Sequence, residues 1–97
     1  MTPEIFITNK AVEAIKDLYG VEVEASQLQV QVTRKEFEGD YTLVVFPLLK
    51  ISKTTPENTG NAIGEWLKTN VPEISAYNTV KGFLNLSFSE VYWNNVF

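Results

Sequence analysis

The chain contains no cysteine and no histidine. The first absence excludes a disulfide framework and thiolate chemistry. The two together remove the usual zinc ligands and the commonest general base. No apolar run approaches the ~18 residues of a membrane span, and the N-terminus lacks a secretory-signal pattern, so the expected location is the cytoplasm. The 5 glycines form neither a Gly-x-Gly-x-x-Gly nor a Walker loop, so no phosphate cradle of those kinds is encoded. Positive charge is also scarce: 8 Lys and Arg stand against 12 Asp and Glu, for a net charge of -4. A module that holds a polyanion unaided is usually basic. This chain alone should therefore bind RNA weakly, with most phosphate contacts supplied by a larger parent.

What remains suits one globular domain, residues 1–97, with ordinary hydrophobic content at 44%. A chain of this length buries about two-thirds of its unfolded surface without staples. The first helix is expected from about Pro3 or Thr8 to Tyr19, capped by Thr2 or Thr8. Its apolar stripe is Ala11, Ile15 and Leu18, flanked by Val12 and Tyr19, and Gly20 follows its end. Val21 to Ser26 is acidic and reads as a loop. Leu28 to Arg34 alternates strictly, with Leu28, Val30 and Val32 as a buried row and Gln29, Gln31 and Thr33 as a polar one. Lys35 to Gly39 is a turn, and Asp40 to Val45 a second strand ending near Phe46.

Pro47 suits the first turn of a short helix, Pro47 to Lys53. Thr55-Pro56 starts the next one, with Thr59, Ala62, Ile63, Trp66 and Leu67 as its apolar stripe to about Asn70. Trp66 is assigned to the core. Gly60 and Gly64, one turn apart, each cost ~1 kcal/mol against alanine in a helix, which points to close packing there. Ile74 to Val80 and Phe83 to Phe88 are strands, joined by Lys81-Gly82 as a two-residue hairpin. Ser89 or Glu90 to Phe97 begins a last helix, with Tyr92, Trp93, Val96 and Phe97 exposed if nothing follows. The order α-β-β-α-α-β-β predicts an α+β fold, a two-layer α/β sandwich. Helices cover one face of a mostly antiparallel four-stranded sheet, and the other face is open.

The final strand carries the most informative pattern. Leu84, Leu86 and Phe88 point to the core, while Lys81, Phe83, Asn85 and Ser87 point away. A large aromatic between a cation and an amide on the wet face supplies a ring to stack a base, an amide to read its edge and a cation for phosphate. Alternation alone favours the plainer alternative, in which Phe83 packs under a neighbouring loop. Arg34 and Lys35 are placed near the same face; Gln29 and Gln31 would extend it, although a plain solvent-exposed role accounts for them as well. Glu36, Glu38 and Asp40 fall at alternate positions, but on a turn beside Gly39 they read as solvated, with Asp40 as a turn cap, and not as a metal site.

Gly82-Phe83-Leu84-Asn85 resembles the Gly-Phe-Ile-Asn signature that closes the N-terminal additional domain of arginyl-tRNA synthetases. Phe37-Glu38-Gly39-Asp40-Tyr41 resembles that family's Phe-Gly-Asp-Tyr turn. The helix led by Thr55-Pro56-Glu57 lies between them in the family's order, and the similarity runs from about Phe6 to Trp93. The resemblance implies a tRNA-recognition domain that contacts the D-loop corner of tRNA(Arg), with Phe83 as the stacking platform and Asn85 as the hydrogen-bonding reader. Lys81 departs from the motif, where many relatives have Pro or Gly; it offers a cation for phosphate, although a plain solvent-exposed lysine accounts for it at least as well. Asp40 and Tyr41 are structural. Relatives begin the helix around Pro47 nearer Thr42.

The implied parent is a class I arginine–tRNA ligase that uses ATP and magnesium, with its catalytic domain following in cis from residues 89–97. The class I signatures that bind ATP are missing here, so this segment is expected to be non-catalytic and to hold no cofactor. Neither a membrane nor DNA is an expected partner. Two other readings stand beside this one. A free-standing RNA-binding module would use the same open face. A protein-interaction domain would use Phe83 with the Trp93–Phe97 end, and salt dependence separates it from RNA binding, because phosphate contacts weaken steeply with salt.

Overall fold

Thr2 opens the first helix. In the computed structural model, which describes residues 2–90, 92 and 94, its hydroxyl accepts the Ile5 N–H at 3.2 Å and Pro3 takes the first helical position. Helix α1 runs Pro3–Tyr19 and ends on Gly20, whose φ of 69° is the left-handed C-terminal cap that glycine allows. Its buried stripe is Ile7, Ala11, Ala14 and Ile15. Leu18 was expected on that stripe but is 39% exposed, because the face it occupies has rotated past the sheet by the last turn. A short 3-10 turn, Ala25–Gln27, sits in the loop that follows, and Val23 there is buried.

Strand β1 spans Gln29–Val32 and β2 spans Tyr41–Val44. A 3-10 turn at Phe46–Leu48 leads into the one-turn helix α2, Leu49–Ser52. No helix begins near Thr42: that residue is inside β2, and the helical segment starts at Phe46, with Pro47 in its first turn. Helix α3, Pro56–Asn70, is capped by Thr55, whose hydroxyl accepts the Asn58 N–H at 3.1 Å. Strands β3, Ile74–Val80, and β4, Phe83–Phe88, complete a four-stranded sheet in the order β1-β2-β4-β3 with every pairing antiparallel. Lys81 and Gly82 join β3 to β4 with φ of 47° and 84°, the two positive values that a tight two-residue hairpin needs.

One face of the sheet meets the helices. Leu43, Leu84 and Leu86 from the central strands pack with Ile7, Ile15, Ile63 and Leu67, all at most 1% exposed. Burying a side chain of this kind contributes roughly 1.5–3 kcal/mol, so these residues dominate the favourable energy. The two glycines of α3 set the spacing of the layers. A Cβ on Gly60 would lie 2.5 Å from Thr79 Cγ2, and one on Gly64 would lie 2.5 Å from Tyr77 Cδ2. The helix thus rests directly on β3, where the sequence cost of two glycines finds its reason. Under Gly60 the Thr79 hydroxyl is buried with no hydrogen-bond partner among the described residues.

Three further side chains depart from expectation. Val32 is 65% exposed, because β1 is an edge strand and the helical layer does not reach its far end. Trp66 is half-buried; its indole N–H donates to Asp17 Oδ2 at 2.6 Å and ties α3 to α1 at the surface. Tyr92 is buried, stacked on Phe88 with centroids 4.0 Å apart and tilted against Phe6 at 5.4 Å. Glu90, Tyr92 and Asn94 are helical, so the chain turns back over this aromatic end of the core. Trp93, Val96 and Phe97, which the exposed-end reading also used, lie outside the described residues.

Two outcomes test this packing. Gly64→Ala should lower the unfolding free energy by about 1–3 kcal/mol through overpacking against Tyr77, whereas Thr79→Val, which removes an unpaired hydroxyl, should be neutral or stabilising. Urea unfolding of both variants checks the contrast. The second concerns pH. Burial pushes the phenols of Tyr19, Tyr77 and Tyr92 above their ordinary value, and the Glu65 carboxylate that accepts the Tyr77 hydroxyl adds to it there. A phenol raised on folding contributes stability that is fully present below its unfolded pKa of about 10 and is lost as pH rises through the folded value. The urea midpoint should therefore fall between neutral pH and about pH 11, and fall less in Tyr77→Phe.

Candidate nucleic-acid interface

The face of the sheet away from the helices is built from two cross-strand rows. Register places Gln29, Val44, Phe83 and Val80 side by side in one row. The next row is Gln31, Thr42, Asn85 and Asn78. Both glutamine amides therefore share the sheet face with Phe83 and Asn85, but β2 lies between them. The Gln29 amide donates to Gln31 Oε1 at 3.4 Å, along its own strand.

The second row is tied together from within. Thr42 Oγ1 donates to Asn85 Oδ1 at 2.6 Å, Asn85 Nδ2 donates to Asn78 Oδ1 at 3.0 Å, and Asn78 Nδ2 donates to the Glu38 carbonyl at 2.8 Å. Thr33 and Thr42 hydroxyls are 2.9 Å apart. A hydroxyl has one proton; since that of Thr42 goes to Asn85, Thr33 is the donor in this pair. The direction is thus Thr33 to Thr42 to Asn85 to Asn78 to Glu38, from the end of β1 across the sheet and back to the β1–β2 loop.

That loop folds over the row. Gly39, at φ 137°, brings the backbone so close that a Cβ there would stand 3.1 Å from Asn85 Cβ. Asp40 fastens the far side: its N–H donates to the Leu86 carbonyl at 2.7 Å, and its carboxylate accepts the Phe88 N–H at 2.8 Å. The Asp40 side chain is a backbone clasp, in keeping with a structural role for this turn. Among the described residues no group of three or more His, Cys, Asp or Glu is placed to hold a metal ion.

Asn85 is consequently 0% exposed, with both polar atoms of its carboxamide engaged inside the protein. The expectation that this amide stands exposed on the wet face is corrected by the geometry: the Glu38–Gly39 crossing covers it. The face that strand alternation predicts is right, but a loop from another part of the chain closes over that position. The two short motifs thus meet in space, the loop of one lying over the Asn85 of the other.

Phe83 is placed differently. It is half-buried beyond the lid, its ring perpendicular to that of Phe46 with centroids 6.1 Å apart. The Arg34 guanidinium lies over the Phe83 ring, Cζ to centroid 5.7 Å. Phe46 is 50% exposed and its ring lies on Gly82, where a Cβ would come within 2.4 Å of Cζ. Lys81 is exposed at the hairpin and lines an open depression of about 430 Å³ with Phe46, Thr55, Pro56, Gly82 and the acidic Glu57. The structure thus gathers Phe83, Phe46, Arg34 and Lys81 at one end of the open face. Phe46 was missed from the sequence because it reads as the last residue of an apolar strand; its neighbour Pro47, which ends the strand there, was the available signal.

A family model for the arginyl-tRNA synthetase N-terminal domain matches residues 6–88. The arginine–tRNA ligase of Bacteroides fragilis is 51% identical over 87 residues, covering 90% of this chain and 15% of that protein. The arginine–tRNA ligase of Phocaeicola vulgatus is 52% identical over 94 residues, covering 96% of this chain and 16% of that protein. The chain therefore spans about 15% of the length of the curated relatives it matches. Among solved structures, an arginyl-tRNA synthetase from Thermus thermophilus superposes with a TM-score of 0.75, at 23% identity, over 97% of this chain and 15% of that one. At that identity the likeness shows a shared fold.

The buried row has a measurable consequence. Asn85→Ala should cost about 2–3 kcal/mol of stability, since Asn78 Oδ1 and the Thr42 hydroxyl each lose their Asn85 partner beneath the lid. Phe83→Ala, at a half-exposed site, should cost roughly 1 kcal/mol. Urea unfolding of the two variants side by side checks this, and equal losses would remove the strut from the account.

Proposed function

Because the chain belongs to the arginyl-tRNA synthetase N-terminal domain family, we propose that it is the tRNA-recognition domain of an arginine–tRNA ligase. In this reading it contacts the D-loop corner of tRNA(Arg), and a catalytic domain carried in cis on the longer protein performs ATP-dependent, magnesium-assisted arginylation. Phe83 is the stacking platform for an unpaired base of the loop. The observation that carries the reading is the half-buried Phe83 ring on the sheet face away from the helices, with the Arg34 guanidinium over it.

Stacking is the interaction this geometry serves, because every base has a π-face and a rigid ring loses little entropy on contact. Alanine substitution of such a platform costs ~1–3 kcal/mol, enough to discriminate between RNAs by one or two orders of magnitude but not to hold one. The acidic balance of the chain fits that division of labour, with most phosphate contacts made by the rest of the ligase. Lys81, at the hairpin tip, is the phosphate contact on the Phe46 side. Asn85 acts from beneath: its hydrogen bonds hold β4 and the lid so that Phe83 is presented at one height. For its amide to touch a base directly, the Glu38–Gly39 crossing has to lift away.

Among the described residues no helix is long and apolar enough to cross a membrane. In the full-length ligase, Phe83→Ala should raise the KM for a tRNA(Arg) transcript about tenfold or more, with the KM for arginine and for ATP unchanged. An unaltered tRNA KM would overturn the assignment of Phe83.

A further inference from the structure

Arg34 occupies the place that a stacked base would take. Its guanidinium covers the Phe83 ring at 5.7 Å, so a base cannot lie on that ring surface until the arginine leaves it. We propose that Arg34 is a displaceable phosphate clamp: it shields the Phe83 ring in the free protein, yields the ring to an incoming base, and then pairs with a backbone phosphate of the same RNA. This rests on the reading of Phe83 as a stacking platform.

Three features support the exchange. The root of the side chain is fixed. Thr33, immediately before it, is buried in the hydrogen-bonded row and its N–H donates to the Asp40 carbonyl, while the Arg34 carbonyl accepts the Phe37 N–H at 3.0 Å. The head is unbound: Arg34 is exposed, and among the described residues the ion pairs are Lys10–Glu13 and Lys16–Glu22, both on the helical side of the chain. No carboxylate has to be abandoned when it swings. Finally, a guanidinium over a phenyl ring at an exposed site is a weak contact, whereas the same planar fork matches two phosphate oxygens and gains charge-assisted hydrogen bonds. Ring and phosphate thus exchange partners in the favourable direction, and the clamp closes only on a ligand that offers both a base to stack and a phosphate beside it.

The arrangement also answers a hazard. An aromatic left bare on a sheet face is an invitation to non-specific apolar association. A cation resting on it keeps the face wet until an anionic, stackable ligand arrives.

The test is the salt dependence of the tRNA KM in the full-length ligase, measured with a tRNA(Arg) transcript. Arg34→Gln should raise the KM roughly three- to tenfold at low salt. It should also flatten the slope of log KM against log salt by about 0.7–0.9, one phosphate contact. Phe83→Ala should raise the KM with the slope retained. In the free protein the Arg34 side-chain Nε–H should show an upfield ring-current shift in its NMR spectrum that disappears in Phe83→Ala and on adding the transcript. If Arg34→Gln keeps the parental slope while Phe83→Ala still raises the KM, the clamp is overturned and the stacking platform stands. A persisting ring-current shift in the complex also overturns it. If Phe83→Ala leaves the KM unaltered, the platform itself fails, and the exchange with it.

Discussion

A single directional run of hydrogen bonds, from the Thr33 hydroxyl through Thr42, Asn85 and Asn78 to the Glu38 carbonyl, is the constraint on which the open face of this domain depends. Each group donates to the next, and the run touches β1's end, β2, β4 and β3 before it closes on the loop that covers it. A buried polar row of this kind is costly unless every member is satisfied, and when satisfied it admits one arrangement. It therefore fixes the strand register, the height of the lid and the position of Phe83 two residues along β4. An aromatic ring on an otherwise pliable sheet surface is held in place by a row of buried side chains beside it.

The two layers divide the work. On the helical side, apolar burial supplies the stability, and the glycines at 60 and 64 bring α3 onto β3 without an intervening side chain. On the other side, packing is thin, and stability comes from the polar row and the Asp40 clasp. Aromatic and cationic side chains collect where that cover ends, around Phe83, Phe46, Arg34 and the Lys81 hairpin. The proposed recognition surface thus lies on the strand end and hairpin, with one exposed side chain, Arg34, rooted in a hydrogen-bonded turn.

Much of this was legible beforehand because it is local. The N-caps at Thr2 and Thr55, the Gly20 terminator, the α3 span, and the strands Ile74–Val80 and Phe83–Phe88 each follow from a few neighbouring residues with a stereochemical preference. The misreadings at Leu18, Val32, Trp66 and Tyr92 share another cause. Periodicity says that a side chain faces a layer, but it does not say how far that layer extends. Leu18 and Val32 lie where it has run out, Trp66 at its margin and Tyr92 where the chain folds back over it.

Sequence by itself determined the elements, their order, the antiparallel hairpin and the face on which Phe83 stands, because backbone preference and alternation act between adjacent residues. It also carried the family, through two short motifs at the right separation. Tertiary structure alone decided what those motifs do to each other. Asn85 and Gly39 are 46 positions apart in the chain by subtraction of their numbers, and no local preference reports that one covers the other. Whether an amide on a strand is exposed or buried depends on what closes over it, and that is decided only when distant backbone comes within hydrogen-bond range.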